Sequence, residues 1–273
     1  MPSIKEYDNK LKSLKNTSKM TRTMKMVAAS KLRKAQEAQK DGEEYALRLY
    51  GFIARLAASV QSASHPLLEI RESTSRVLLL VYTSDRGLCG GFNNNLIRMV
   101  DRWLRENASR HEHVGLSFCG RRGYSHFSKR ARVEDYFEET TAQPQFHDAV
   151  TIADNLANQF VSEKYDQVYL VYNRFKSALS QIPTMIQVLP FTSTEFMEGG
   201  DAIPHDYLFE PALPELLEEL LPRTLAFKVF YGLLENSAGE HGARMTAMDS
   251  ATSNASNMID SYTLLRNRAR QAA

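Results

Sequence analysis

The residues best placed to do chemistry sit in a glycine-rich turn, SDRGLCGGFN, at Ser84–Asn93. A turn of this kind, leading from a buried strand into a helix, is where a dinucleotide fold holds phosphate on backbone N–H groups. The spacing of Gly87, Gly90 and Gly91 is not G-x-G-x-x-G, and no Gly-Lys-Ser/Thr follows. The physical reading is therefore a tight turn that needs positive φ and close backbone packing. His111 and His113 are two apart but have no third metal ligand nearby in sequence. His241 falls on a helical seam and reads as a packed histidine rather than a base. Cys89 and Cys119 show no paired spacing, so they read as free thiols of a reducing, cytosolic compartment. No serine elbow or Cys–His pair stands out. The chain offers no catalytic residue, cofactor site or metal site of its own.

The elements around that turn form an α/β layer. Arg76–Thr83 (RVLLLVYT) is a buried strand, and the turn feeds a helix running through Arg105. Val114–Cys119, Arg132–Phe137, Gln167–Phe175 and Ile182–Leu189 read as further strands. Arg121–Lys129 and Asp148–Lys164 read as helices, and the last two strands as a hairpin about Lys176–Ser180. Alternation of this kind implies a mostly parallel, Rossmann-like sheet.

The two ends of the chain are different. Residues 3–60 keep one heptad frame: Ile4, Leu11, Ser18, Lys25, Leu32, Gln39, Ala46, Ile53 and Val60 on one line, and Tyr7, Leu14, Thr21, Ala28, Ala35, Gly42, Leu49 and Leu56 on the other. Ser3 with Glu6 resembles a capping box. Residues 222–270 keep a second frame through Phe227, Tyr231, Leu234, Ala238, His241, Met245, Met248, Thr252, Ala255, Ile259, Tyr262 and Ala269. Each segment makes a rod of roughly 70–80 Å, longer than a compact domain is wide. Two rods with one apolar stripe each are expected to pair, antiparallel if one domain joins their inner ends. Separate packing on a core, or pairing with another chain, are the other ways to cover the stripes. Met20, Met24 and Val27 make a second apolar line on another face, suited to an adaptable contact.

The fold class expected is thus α/β: a long antiparallel coiled coil of N- and C-terminal helices plus a central Rossmann-like α/β domain. Its divisions are residues 1–65 for the first helix, 66–205 for the central domain, and 206–273 for an acidic segment and the second helix. Residues 193–222 read as a loop with a short acidic stretch.

Net charge is only +2 over 273 residues, but it is unevenly placed. Residues 1–34 hold ten bases against Glu6 and Asp8, whereas residues 205–222 hold five acids and no Lys or Arg. A basic rod calls for an acidic partner. The longest apolar run, Val77–Tyr82, is far short of the ~18 residues a membrane span needs.

Five stretches carry a resemblance. NTSKMTRTMKMVAASKLRKAQ (Asn16–Gln36), the turn SDRGLCGGFN, DYLFEPALPELLEELLPR (Asp206–Arg223), and ENSAGEHGARMTAMDSATSNASNMI (Glu235–Ile259) with NRARQAA (Asn267–Ala273) resemble the gamma subunit of bacterial F-type ATP synthases. The resemblance covers essentially the whole chain in order. It implies a central rotor shaft inside a ring of three alpha and three beta subunits, with a foot on the epsilon subunit and the c-ring. Proton flow would turn the ring, and ATP, ADP, phosphate and Mg would be bound by the alpha and beta subunits. Met24, Lys25, Val27, Lys31, Arg33 and Lys34 would face acidic segments of beta, and Arg270 and Gln271 would meet a beta loop. Tyr207, Glu210 and Glu215 would lie in the foot. The expected location is peripheral, on the cytoplasmic face of the bacterial plasma (inner) membrane. Members usually continue past NRARQAA by roughly a dozen residues, so either the chain is truncated there or its shaft is shorter, and the top bearing would be looser.

Two rival readings remain. A basic-armed nucleic-acid binder would need aromatic or Arg base contacts, yet Tyr7 is the sole aromatic residue on the basic stretch. An α/β nucleotide enzyme would need the glycine-rich turn to hold phosphate.

Overall fold

A computed structural model describes residues 4–58, 65–71, 74–107, 109–191 and 213–272, with side chains left undescribed at 47, 50–58, 213–214 and 272. Helix α1 (Ile4–Ala58) has 55 residues and helix α5 (Leu213–Ala272) has 60. Between them lie a 3-10 turn (Pro66–Leu68), β1 (Arg76–Tyr82), α2 (Phe92–Asn107), β2 (His113–Cys119), α3 (Arg121–Phe127), β3 (Val133–Phe137), α4 (Phe146–Val161), β4 (Gln167–Phe175) and β5 (Gln181–Leu189). The sheet order is β3-β2-β1-β4-β5. The first four strands are parallel, and β5 closes one edge antiparallel to β4.

The period-2 rule of a strand sorts β1 into two cores. Leu78, Leu80 and Tyr82 face the cluster built with α4 and α5, including Ile152, Leu156, Leu225, Val229 and Leu233. Val77, Leu79 and Val81 face the other side, with Leu96 and Val100 of α2 and Phe127 of α3. β1 is buried on both faces, which is why it reads as one continuous apolar run. α5 is therefore a layer of the α/β domain as well as one strand of the coiled coil.

The helices pair within the chain, antiparallel. Tyr7 meets Tyr262 with ring centroids 6.3 Å apart, and Thr21 Oγ1 lies 2.7 Å from Thr252 Oγ1. Gln39 Nε2 donates to Glu235 Oε1 at 3.3 Å, and the Tyr45 ring sits 4.7 Å from that of Phe227. Contacts advance along α1 as they retreat along α5, as in an antiparallel coiled coil. The heptad positions Leu11, Leu14, Thr21, Ala28, Leu32, Gly42, Ala46 and Leu49 are all buried, as the frame predicts. Ser3, of the expected capping box, lies outside the described residues.

The second rod starts earlier than expected: residues 213–222, read from sequence as loop, are helical, and Pro222 sits inside α5. A proline inside a helix costs roughly 3 kcal/mol. Leu217, Leu221 and Leu225, at helical spacing, are buried in the domain core and offset that cost.

Candidate partner interface

The proposed contact residues among those described lie in three places: on α1 beside the glycine-rich turn, in the last turn of α5 and in its first turn. Met24 and Val27 of α1, with Lys31, line a cleft of about 820 Å³ between the coiled coil and the glycine-rich turn. Val27 is 53% exposed, and Met20 and Met26 beside it are 64% and 59% exposed. Met26 is missed by the i, i+4, i+7 line of Met20, Met24 and Val27, because it stands on the neighbouring face of the helix. Lys31 and Lys34 are exposed. Lys25 and Arg33 are engaged within the chain: Lys25 Nζ lies 2.6 Å from Asp249 Oδ1, and Arg33 Nε lies 3.1 Å from Glu37 Oε1. Both pairs are largely solvent-exposed, so each holds about 0–1 kcal/mol and leaves the cation able to exchange partners.

Arg270 and Gln271 stand exposed in the last turn of α5, far along the shaft from the domain. Glu215 is exposed in its first turn, at the opposite end. Tyr207 and Glu210 lie outside the described residues. The exposed Leu264 and Leu265 add apolar surface near Arg270.

The glycine-rich turn between β1 and α2, which packs against the shaft, is locked by side chains. Asn93 Oδ1 accepts from the Ser84 N–H at 2.9 Å, and Asn93 Nδ2 donates to Ser84 Oγ at 2.7 Å. Asp85 accepts from the Arg121 N–H at 3.0 Å and from the Thr141 hydroxyl at 3.2 Å. Gly90 has φ of 57°, which meets the expectation of positive φ, but so does Leu88 at 65°. A leucine in the left-handed region, 64% exposed, is backbone strain that presents an apolar side chain to solvent. Residue type gives no sign of it. From α5, Arg244 Nη2 donates to the Gly87 carbonyl at 3.2 Å while its Nη1 lies 2.7 Å from Glu240 Oε1. One guanidinium thus ties the shaft to the turn.

Buried titratable groups line this part of α5. Burial pushes the Glu235 carboxyl up to about 7 against bonds from Tyr172 and Gln39. Burial, aided by Arg244 and Lys31, pushes His241 down to about 4, so it is a neutral packed imidazole at pH 7. Burial raises both thiols, that of Cys119 to about 12, which makes them inert. His111 stacks on Trp103 and bonds the Thr74 carbonyl; His113 stacks on Tyr165 and bonds its hydroxyl. The two rings are separately engaged. Among the described residues, no group of His, Cys, Asp and Glu is arranged to hold a metal ion, and no helix is long and apolar enough to cross a membrane.

Comparison with known proteins agrees with this architecture. The ATP synthase family model matches residues 3–273. The ATP synthase gamma chain of Trichlorobacter lovleyi is 41% identical over 273 residues, covering 100% of this chain and 94% of that one. The gamma chain of an Anaeromyxobacter species is 44% identical over 276 residues, with the same coverage. Among solved structures, the central stalk and c-ring assembly of Tetrahymena thermophila mitochondrial ATP synthase superposes with a TM-score of 0.66 at 27% identity, over 85% of this chain and 99% of that one. The rotor of Euglena gracilis mitochondrial ATP synthase matches in fold, with a TM-score of 0.69 at 18% identity over 98% of each chain. The chain belongs to the ATP synthase gamma-chain family, the family of that enzyme's central stalk.

Proposed function

We propose that this chain is the rotor shaft of a proton-driven F-type ATP synthase and carries no catalytic residue itself. The observation that supports this most strongly is the coiled coil made of both chain ends, rooted in a domain through α5 and projecting past it. Above the contact of Thr246 with the Ala178 carbonyl, α5 runs on to Ala272 with α1 as its support. That projection is about 40 Å at 1.5 Å per residue.

A shaft can bias a partner's conformational equilibrium only by making different contacts at different angles; equal contacts in all states shift nothing. The faces here are unequal. One carries Met20, Met24, Met26 and Val27 with Lys31 and Lys34; the α5 side carries exposed Ser250, Ser253, Asn254 and Ser256. In the proposed assembly the first face, together with Lys25 and Arg33, pushes on acidic segments of the beta subunits. Arg270 and Gln271 hydrogen-bond a beta loop, and the foot at Tyr207, Glu210 and Glu215 meets epsilon and the c-ring. ATP, ADP, phosphate and Mg are bound by alpha and beta subunits, and the assembly sits on the cytoplasmic face of the bacterial inner membrane.

Co-expression with alpha and beta subunits tests the reading. A stoichiometric complex with cooperative ATPase activity is expected. Failure to assemble, with this chain folded and monomeric beside the ring subunits, would overturn it.

A further inference from the structure

Glu235 sits where three elements meet at the root of the shaft, and it is 4% exposed. On one side α1 presses close: a Cβ on Gly42 would stand 3.3 Å from Leu234 Cδ1 and 3.5 Å from Tyr231 Cδ2. On the other side the sheet presses close: a Cβ on Gly232 would stand 2.9 Å from Tyr82 Cε2 and 3.8 Å from Tyr172 Cδ1. Gln39 of α1 donates to Glu235 Oε1 at 3.3 Å, and Tyr172 of β4 turns its hydroxyl toward the same carboxyl. One carboxyl thus joins both elements that flank its helix.

That carboxyl has no cation of its own. From β4 it faces Tyr172, from α1 Gln39 and from its own helix Tyr231, all uncharged at pH 7. The charges that reach it are Arg174 on β4 and Glu43 on α1, both exposed and opposite in sign. Among the described residues no group bonds Glu235 Oε2, and neither amide atom of the fully buried Asn236 is bonded. A carboxylate enclosed without a paired cation is strongly disfavoured, and burial holds the folded carboxyl at about 7. The closed joint therefore favours the protonated form, whereas a joint opened to water favours the carboxylate.

We propose that Glu235 is a proton-operated latch on the root of the shaft: protonated, it fastens α1 and β4 to α5; ionised, it admits water and lets α1 lift from α5 around Gln39. A carboxyl held above its ordinary value contributes below that value and loses its contribution as pH rises through the folded one. Opening therefore grows from pH 4.5 to about 7 and then levels. The projecting pairs, such as Thr21 with Thr252, carry no buried carboxyl and lie outside the latch. In the rotor reading torque passes through this joint, so the proton would set how firmly rod and domain turn together; the latch itself does not rest on that reading.

Amide hydrogen exchange of the full chain from pH 5 to 8, corrected for the intrinsic pH dependence of exchange, tests this. Residues 36–46 of α1 are expected to exchange through a local opening, faster than the β1 amides of Leu78–Leu80. Their protection is expected to fall on the order of fiftyfold between pH 5 and 8, levelling above about 7. Residues 11–21 are expected to show no such slope. Glu235→Gln, which matches the protonated carboxyl in shape and charge, is expected to keep the fold and abolish the slope in residues 36–46. The proposal is overturned by protection of residues 36–46 that is constant with pH, or that falls equally in wild type and Glu235→Gln. It is overturned equally if residues 11–21 share the slope, or if residues 36–46 match β1 in protection at every pH. These outcomes are read on the isolated chain and do not depend on whether it assembles with a ring.

Discussion

The two halves of α5 obey different rules. From Thr224 to Ala243 nearly every residue is buried, because α1 covers one side and the sheet with α4 covers the rest. From Asp249 onward the helix is exposed except along its seam. The root seam is apolar and aromatic: Phe227 on Tyr45, and Leu234 on Gly42. The projecting seam mixes buried Leu11, Leu14 and Ala255 and the Tyr7–Tyr262 contact with polar pairs: Thr21 with Thr252, Lys25 with Asp249, Asp8 with Arg266. The root resists torque by burial, while the projection keeps its surface for partners and relies on register more than on area.

This contrast is tested by matched substitutions. Leu233→Ala at the fully buried root should destabilise the chain by about 2–5 kcal/mol, whereas Leu264→Ala, 61% exposed on the projection, should stay within about 0.5 kcal/mol. Denaturant unfolding of both variants reads the difference; equal losses would erase the distinction between the halves.

The next effect is pH-dependent. The Glu235 carboxyl is held at about 7 in the folded chain, above its ordinary 4.5. Its contribution is present below pH 4.5 and is lost as pH rises through 7, a loss of about 3 kcal/mol. Glu235→Gln should therefore raise stability above pH 7 and change little near pH 4. His241 runs the other way: held at about 4 against an ordinary 6.5, it loses stability as pH falls below 6.5 toward 4. His241→Gln should flatten that acid limb. Thermal melts from pH 4 to 9 check both, and parallel curves for wild type and variants would refute the assignment.

Smaller effects belong to the projection. Thr21→Val removes the 2.7 Å bond to Thr252 and should cost about 1 kcal/mol. Lys25→Ala removes the exposed pair with Asp249 and should cost about 0–1 kcal/mol in the free chain, falling with added salt.

Much of this was legible in the sequence. The α1 heptad frame predicts its buried positions because a coiled-coil seam repeats strictly. The strands were legible because β1 lies at the centre of a parallel sheet and is apolar throughout. The start of α5 was not, since Pro222 is a strong local stop that only the tertiary burial of Leu217, Leu221 and Leu225 overrides. Nor was the all-round burial of residues 232–243: Gly232, Ser237, Gly239 and Gly242 look like a smooth surface. They are small because Tyr82, Phe92 and the Ala178 backbone press against the three glycines. Of the cleft's lining, Lys31 was named through the family resemblance, whereas the apolar line of Met24 and Val27 was legible from helical spacing. The cleft they line was not, because its other wall comes from residues 85–88, 122 and 240–244, joined only by folding.

The central claim is that both chain ends form one shaft that turns as a unit. Thr21→Cys with Thr252→Cys places two thiols across the seam where the hydroxyl oxygens now stand 2.7 Å apart. The native Cys89 and Cys119 are buried and stay out of the reaction. In a complex with alpha and beta subunits, the oxidised, cross-linked shaft should hydrolyse ATP within about twofold of its reduced form. Loss of ATPase activity on oxidation, restored by reduction, would show that the two helices must move against each other, and would contradict the account.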